Sequence, residues 1–291
     1  MKRSPRLFRT LERPRGLPLG RVLLFFWTAG ILVLTGTNGV FAETYIQSLE
    51  RGKVDWTNGI VEVSATGMPP AHALSPAQGR ALAETEAETL ARGELIGLLQ
   101  AIRVDSKSTV KEVLDQQRAG DQLVAAVLRD SHVVEKSVSP NGAVRLMVAM
   151  KLNGPFGDLV LPKTIASIQA VEQSQKKEEP FTGLIVDCRG IPLSPAMAPM
   201  IIGEDGQVVY GTAHVSRDQA LERGVAAYAR GLAKSRDNPR VGLKPLIVKG
   251  LRAAKGRPCD IVISNADAGK IKGAGSNLSF LHRGKVLFVM E

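Results

Sequence analysis

The sequence predicts an α+β protein of two small domains, each a mainly antiparallel sheet covered by a long helix. Three observations predict this class. Short apolar runs bounded by Gly, Pro, Asn-Gly or Asp-Gly recur along the chain and read as strands. Ser75-Pro76-Ala77-Gln78 and Ser216-Arg217-Asp218-Gln219 each start a helix, with Ser as N-cap and Gln three residues on. A polar stretch, with its most charged part from Gln173 to Glu179, separates the two sets of elements.

The expected divisions are residues 1–42, a signal peptide; 43–157, the first domain; 158–180, a linker; and 181–291, the second domain. In the first domain, Ile60, Val61, Val63 and Ala65 mark a strand. The helix opening at Ser75 continues to Ile102. Its buried stripe is Ala83, Ala87, Ala91, Leu95, Leu98 and Ile102, and Glu84, Glu88 and Arg92 lie on the solvated face. Small side chains in that stripe let the helix lie close to a sheet. Arg103 to Leu114 alternates and reads as a strand running into a short helix, and Leu123 to Leu128 reads as helical. Val133–Val138 and Val144–Leu152 flank Ser139-Pro140-Asn141-Gly142 and read as a hairpin.

In the second domain, Gly183 to Val186 is a strand that exits through Asp187, Cys188, Arg189 and Gly190. Met200 to Gly211 is a hairpin turning at Asp205-Gly206. The helix from Ser216 is expected to bury Leu221, Val225, Tyr228 and Leu232 and to end at Asn238-Pro239. Pro245–Leu251 and Cys259–Asn265 are strands, Asn265–Lys272 is a short helix, and Lys285–Met290 is a last strand.

The N-terminus predicts export. Residues 1–42 carry seven Lys or Arg against one acid, and Val22 to Gly36 is uncharged and apolar. That run is shorter than the roughly twenty residues a membrane span needs. Val40 and Ala42 are the small-residue pair of a signal-peptidase site; an uncleaved N-terminal anchor is the competing reading. No Cys stands there to be lipidated, and no twin-arginine pair is present. The expected location is the periplasm or the outer membrane's periphery in a Gram-negative type of envelope, with the mature chain peripheral to the membrane.

Export also frames the charge. The formal net charge is +10, but beyond residue 42 the chain holds 31 basic and 27 acidic residues, an ordinary mildly basic surface. Aromatic residues make up 4% of the chain, too few for a stacking platform, so no nucleic-acid partner is expected.

The motifs give no catalytic centre. His72, His132, His214 and His282 stand at no metal-ligand spacing, so no metal is expected, and no cofactor fingerprint is present. Gly273 to Asn277 lacks the lysine of a phosphate loop and reads as a flexible connection. Asp205 belongs to its turn and Asp267 to a helix start. Asp187 and Asp260 have no local role, and each neighbours one of the two cysteines, Cys188 and Cys259. A carboxylate pair doing acid–base work is one reading of them. In an oxidising compartment two cysteines are compatible with one disulfide, and two buried thiols are the alternative.

Val54–Pro70 followed by Ser75–Ser106 resembles the lipoprotein-twenty type of bacterial envelope domain and the N-terminal domain of flagellar assembly protein T. The carriers are a strand ending in Ala65-Thr66-Gly67, a helix bearing Arg80, Ala81, Ala83, Ala87, Ala91 and Leu95, and then Arg103-Val104-Asp105-Ser106. The resemblance covers about Val54 to Leu152 and implies an exported, non-enzymatic binding or assembly protein. Its partners would be other envelope proteins, such as those of a flagellar or surface assembly. The competing class is an envelope hydrolase or transferase using Asp187 and Asp260.

Overall fold

Strand β1 (Glu43–Thr44) is followed by an antiparallel run of β2 (Ile46–Leu49), β3 (Gly52–Asp55) and β4 (Ile60–Gly67). This is a computed structural model describing residues 43–163, 181–273 and 279–291. The expected signal segment with Val40 and Ala42, and residues 164–180 of the expected linker 158–180, lie outside the described residues. Helices α1 (Pro76–Ala101), α2 (Val110–Gln117) and α3 (Gly120–Asp130) lead to the hairpin of β5 (His132–Val138) and β6 (Val144–Lys151). The five-stranded sheet has the order β2-β3-β4-β6-β5 and is antiparallel throughout.

Ser75 caps α1 by accepting from the backbone N–H of Gln78, with Pro76 in the first turn. The expected stripe is the buried one: Ala83, Ala87, Ala91 and Leu95 are wholly inaccessible. The helix approaches β4 so closely that a Cβ on Gly67 would lie 2.0 Å from the Ala83 carbonyl oxygen and 2.7 Å from the Ala87 nitrogen. The Ala-Thr-Gly end of β4 and the alanines of α1 therefore serve one contact. The alternation after Ile102 yields only an isolated bridge, Arg103 with Thr109, before α2 begins with a capping box between Thr109 and Glu112.

A short helix, α4 (Pro155–Val160), spans the expected boundary at residue 157 between the first domain and the linker. Beyond residue 180 come β7 (Gly183–Asp187), β8 (Ile201–Gly203), β9 (Val208–Tyr210), α5 (Arg217–Arg223), β10 (Ala227–Arg230) and α6 (Leu232–Ser235). Then follow β11 (Pro245–Ala254), β12 (Arg257–Ile263), α7 (Asn265–Gly273), α8 (Ser279–His282) and β13 (Val286–Met290). The second sheet has eight strands in the order β1-β10-β13-β7-β11-β12-β8-β9.

The chain is α+β, as expected, but this sheet is mixed. β10, β13, β7 and β11 run parallel in succession, and β12 runs parallel to β8. β7 and β13 are covered on both faces. Leu184, Val186, Val286 and Phe288 belong to one core, and Ile185, Leu287 and Val289 to a second. Parallel strands buried on two sides read as unbroken apolar runs, which is what Gly183–Val186 and Val286–Met290 are.

The long helix expected from Ser216 is corrected. Ser216 does cap α5 by accepting from the Gln219 N–H, but α5 stops at Arg223 and Gly224 takes φ 80°. The expected stripe is divided among three elements: Leu221 on α5, Tyr228 on β10 and Leu232 at the start of α6. The physical reason is the free edge of β13, which β10 pairs from Ala227 to Arg230. A strand completing a buried parallel sheet there overrides the helical spacing. This sheet is thus covered by short helices.

One hydrophobic core joins both sheets, running from Val54, Leu95 and Met150 to Leu184, Tyr210 and Phe288. Tyr228 packs edge-on to Trp56 at 5.6 Å and lies 5.4 Å from Phe288. Its hydroxyl donates to the Ala196 carbonyl and accepts from the Ala196 N–H, each at 2.9 Å. Thr57 donates to the Tyr228 carbonyl at 2.6 Å. The described residues accordingly form one compact unit.

Candidate functional site

The surface that stands out is the open edge of the five-stranded sheet. β5 is exposed at all seven positions, although its neighbour β6 is mostly buried. Val133, Val134 and Val138 are 42%, 48% and 50% exposed, unusual for β-branched residues that normally fill a sheet face. An edge strand also presents unpaired backbone N–H and C=O groups, ready to pair with another chain.

Local chemistry limits that edge. The register slips at Val134, which is the extra residue between the pairs Val133 with Val148 and Glu135 with Met147. Lys136 forms an ion pair with Glu84 of α1. A bulge and a lysine are both devices that restrain unwanted pairing. The regular open edge is therefore the stretch Glu135–Val138, flanked by the exposed Val134. At the N-terminal end of β5, a cleft of about 360 Å³ is lined by His132, Lys151, Asn153, Pro155, Leu221 and Glu222.

The acids singled out in the sequence have separate engagements. Asp187 is held by Arg189 at 2.8 Å through each of its carboxylate oxygens. That hydrogen-bonded guanidinium lowers its pKa. Asp260 is wholly buried and accepts from the Met200 N–H at 3.1 Å. Its Oδ2 has no hydrogen bond, with the Arg257 guanidinium 3.8 Å away, and burial raises its pKa. The burial follows from the sheet: Ala253 pairs with Ile261 but Ala254 pairs with Arg257, leaving Pro258, Cys259 and Asp260 outside the ladder. These three dock instead on Ser106, Ser194 and Met200. Neither carboxylate lines the cleft beside β5.

Cys188 and Cys259 are free, buried thiols, so the disulfide compatible with export is not formed. β11 lies between β7 and β12. Cys188 follows the end of β7, and Cys259 lies in the irregular start of β12. Burial pushes both thiols up, Cys259 to about 11, so neither is an activated nucleophile.

A histidine pair escaped the sequence reading. His214 and His282 are far apart in the chain, yet His282 helps depress the pKa of His214 after the larger effect of burial. The Nδ1 atoms of both rings are buried without a hydrogen-bond partner. Spacing could not have revealed them, because α8 and the turn before α5 meet only in the fold. Among the described residues no group of three or more His, Cys, Asp or Glu could hold a metal ion.

Residues 183–291 match the family model described as Treponema pallidum Tp0624, second domain. The match starts with β7 and takes in every strand of the eight-stranded sheet except β1. No curated protein matches the chain.

Proposed function

We propose that the protein is an exported cell-envelope component with a binding or assembly role and no catalysis of its own. It would work at the periphery of the membrane, with other envelope proteins as partners, flagellar or surface assemblies included. The observation that carries this reading is β5, whose exposed valines and open backbone suit the addition of a partner strand. The resemblance of Val54–Leu152 to envelope assembly domains supports it, as does the signal-like character of residues 1–42. The alternative, a hydrolase or transferase using Asp187 and Asp260, draws support from the raised proton affinity of buried Asp260. Against it stands the tight engagement of Asp187 by Arg189.

Photocrosslinking in intact cells tests the assembly reading. A photoreactive side chain at Val134 or Val138 is expected to capture envelope proteins, with basal-body ring components the specific case. A control at Leu243, fully exposed on the second sheet's side of the molecule, should not capture them. The same partners captured equally from Leu243, or none from β5, would overturn the proposal.

A further inference from the structure

Charge is divided unevenly over the fold. Residues 43–163 hold 13 Lys and Arg against 15 Asp and Glu, whereas residues 181–291 hold 16 against 9. The β11–β12 hairpin concentrates this excess: Lys249, Arg252, Lys255 and Arg257 fall within nine residues that contain no acid. Lys249, Arg252 and Lys255 are exposed. Lys249 lies near Asp187, whose carboxylate already binds Arg189. Among the described residues, Arg252 and Lys255 have no ion pair, and Arg257 has only the distant, buried Asp260. The acids flanking the patch are thus engaged or buried.

An apolar residue stands among these cations. Gly250 pairs with Ile263 and Arg252 with Val262, so Leu251 is the extra residue of a β-bulge. A bulge re-aims side chains that strict alternation would send to opposite faces. Leu251 is 46% exposed, and its neighbour Arg252 is exposed with it. A soluble polyanion would need only the cations. Cations around an exposed Leu match a bilayer interface, with phosphates outside and acyl chains beneath.

We propose that the β11–β12 hairpin docks on an anionic phospholipid surface, with Lys249, Arg252 and Lys255 facing the headgroups and Leu251 entering the interface. This surface is separate from β5, and its failure would leave the assembly reading untouched.

The test uses the chain from Glu43, which keeps the compact unit and removes the apolar segment at Val22–Gly36 as a competing anchor. Cosedimentation is measured with phosphatidylglycerol-containing vesicles and with pure phosphatidylcholine vesicles. Binding is expected to the first only and to weaken with salt. R252Q/K255Q should lower the partition coefficient by about 25-fold, roughly fivefold per cation, with thermal unfolding unchanged. L251S should also weaken vesicle binding, but should leave any retention on heparin unaffected. Equal partition of R252Q/K255Q and parent would overturn the proposal. So would heparin or duplex DNA binding without vesicle binding, which would assign the patch to soluble polyanions.

Discussion

The two sheets differ in how far the chain travels to build them. The five-stranded sheet takes its strands from residues 46–151, in antiparallel pairs, three of its four contacts joining strands consecutive in sequence. The eight-stranded sheet draws on both ends of the described chain, placing β1 from residues 43–44 beside β10, and β13 between β10 and β7. Antiparallel neighbours close through short loops, whereas parallel ones require a crossover. The first sheet therefore follows from local signals, and the second depends on contacts distant in sequence.

The largest effect expected from breaking this comparison is at Gly67. Gly67→Ala sets a methyl group against the backbone of α1 at Ala83 and Ala87, where a side chain cannot rotate away. The expected loss is about 3 kcal/mol, measured by denaturant unfolding. Because one core joins both sheets, the loss should appear as a shift of a single transition. Two transitions with only one displaced would show that the sheets unfold as separate domains.

A smaller effect is expected at the seam. Tyr228→Phe removes the hydroxyl that satisfies both the N–H and the carbonyl of Ala196. Leaving these buried groups unpaired should cost about 2 kcal/mol. The readout is the midpoint of unfolding; an unchanged midpoint would mean that the seam contributes packing alone.

The smallest effect belongs to the second sheet's histidine pair. Burial first, then His282 and nearby Lys272, make His214 hold its proton less tightly than its ordinary value of 6.5 implies, although the Gly211 backbone partly opposes this. The folded state then binds fewer protons than the unfolded one. Stability is full above that ordinary value and is lost as pH falls below it. His214→Gln should flatten this acid-side decline, followed as melting temperature against pH. A decline of the same steepness in the variant would place its origin elsewhere.

Particular residues show how much was legible. The caps at Ser75 and Ser216 are one-turn signals and stand where the sequence puts them. The hairpin turns at Asn141-Gly142 and Asp205-Gly206 hold their glycines at φ 83° and 81°. Tyr228 misled because helical spacing and a strand position can share the same apolar residue, and only β13 beside it settles which applies. The surface of β5 was only half legible. The Asn-Gly turn beyond it announced a hairpin strand, but nothing in Val133–Val138 says that no sixth strand among the described residues covers it.

By itself, the sequence determined the helix starts, the turns, the small-residue stripe of α1, and the apolar runs that became β7 and β13. These rest on backbone and capping preferences that act over a few residues. Tertiary structure alone decided the parallel order of the second sheet and the conversion of an expected helix into β10. It also decided the burial of Asp260 and of the free thiols of Cys188 and Cys259, and the meeting of His214 with His282. Each of these depends on which distant strand occupies the neighbouring place, a choice made by burying the whole core together rather than by any single segment.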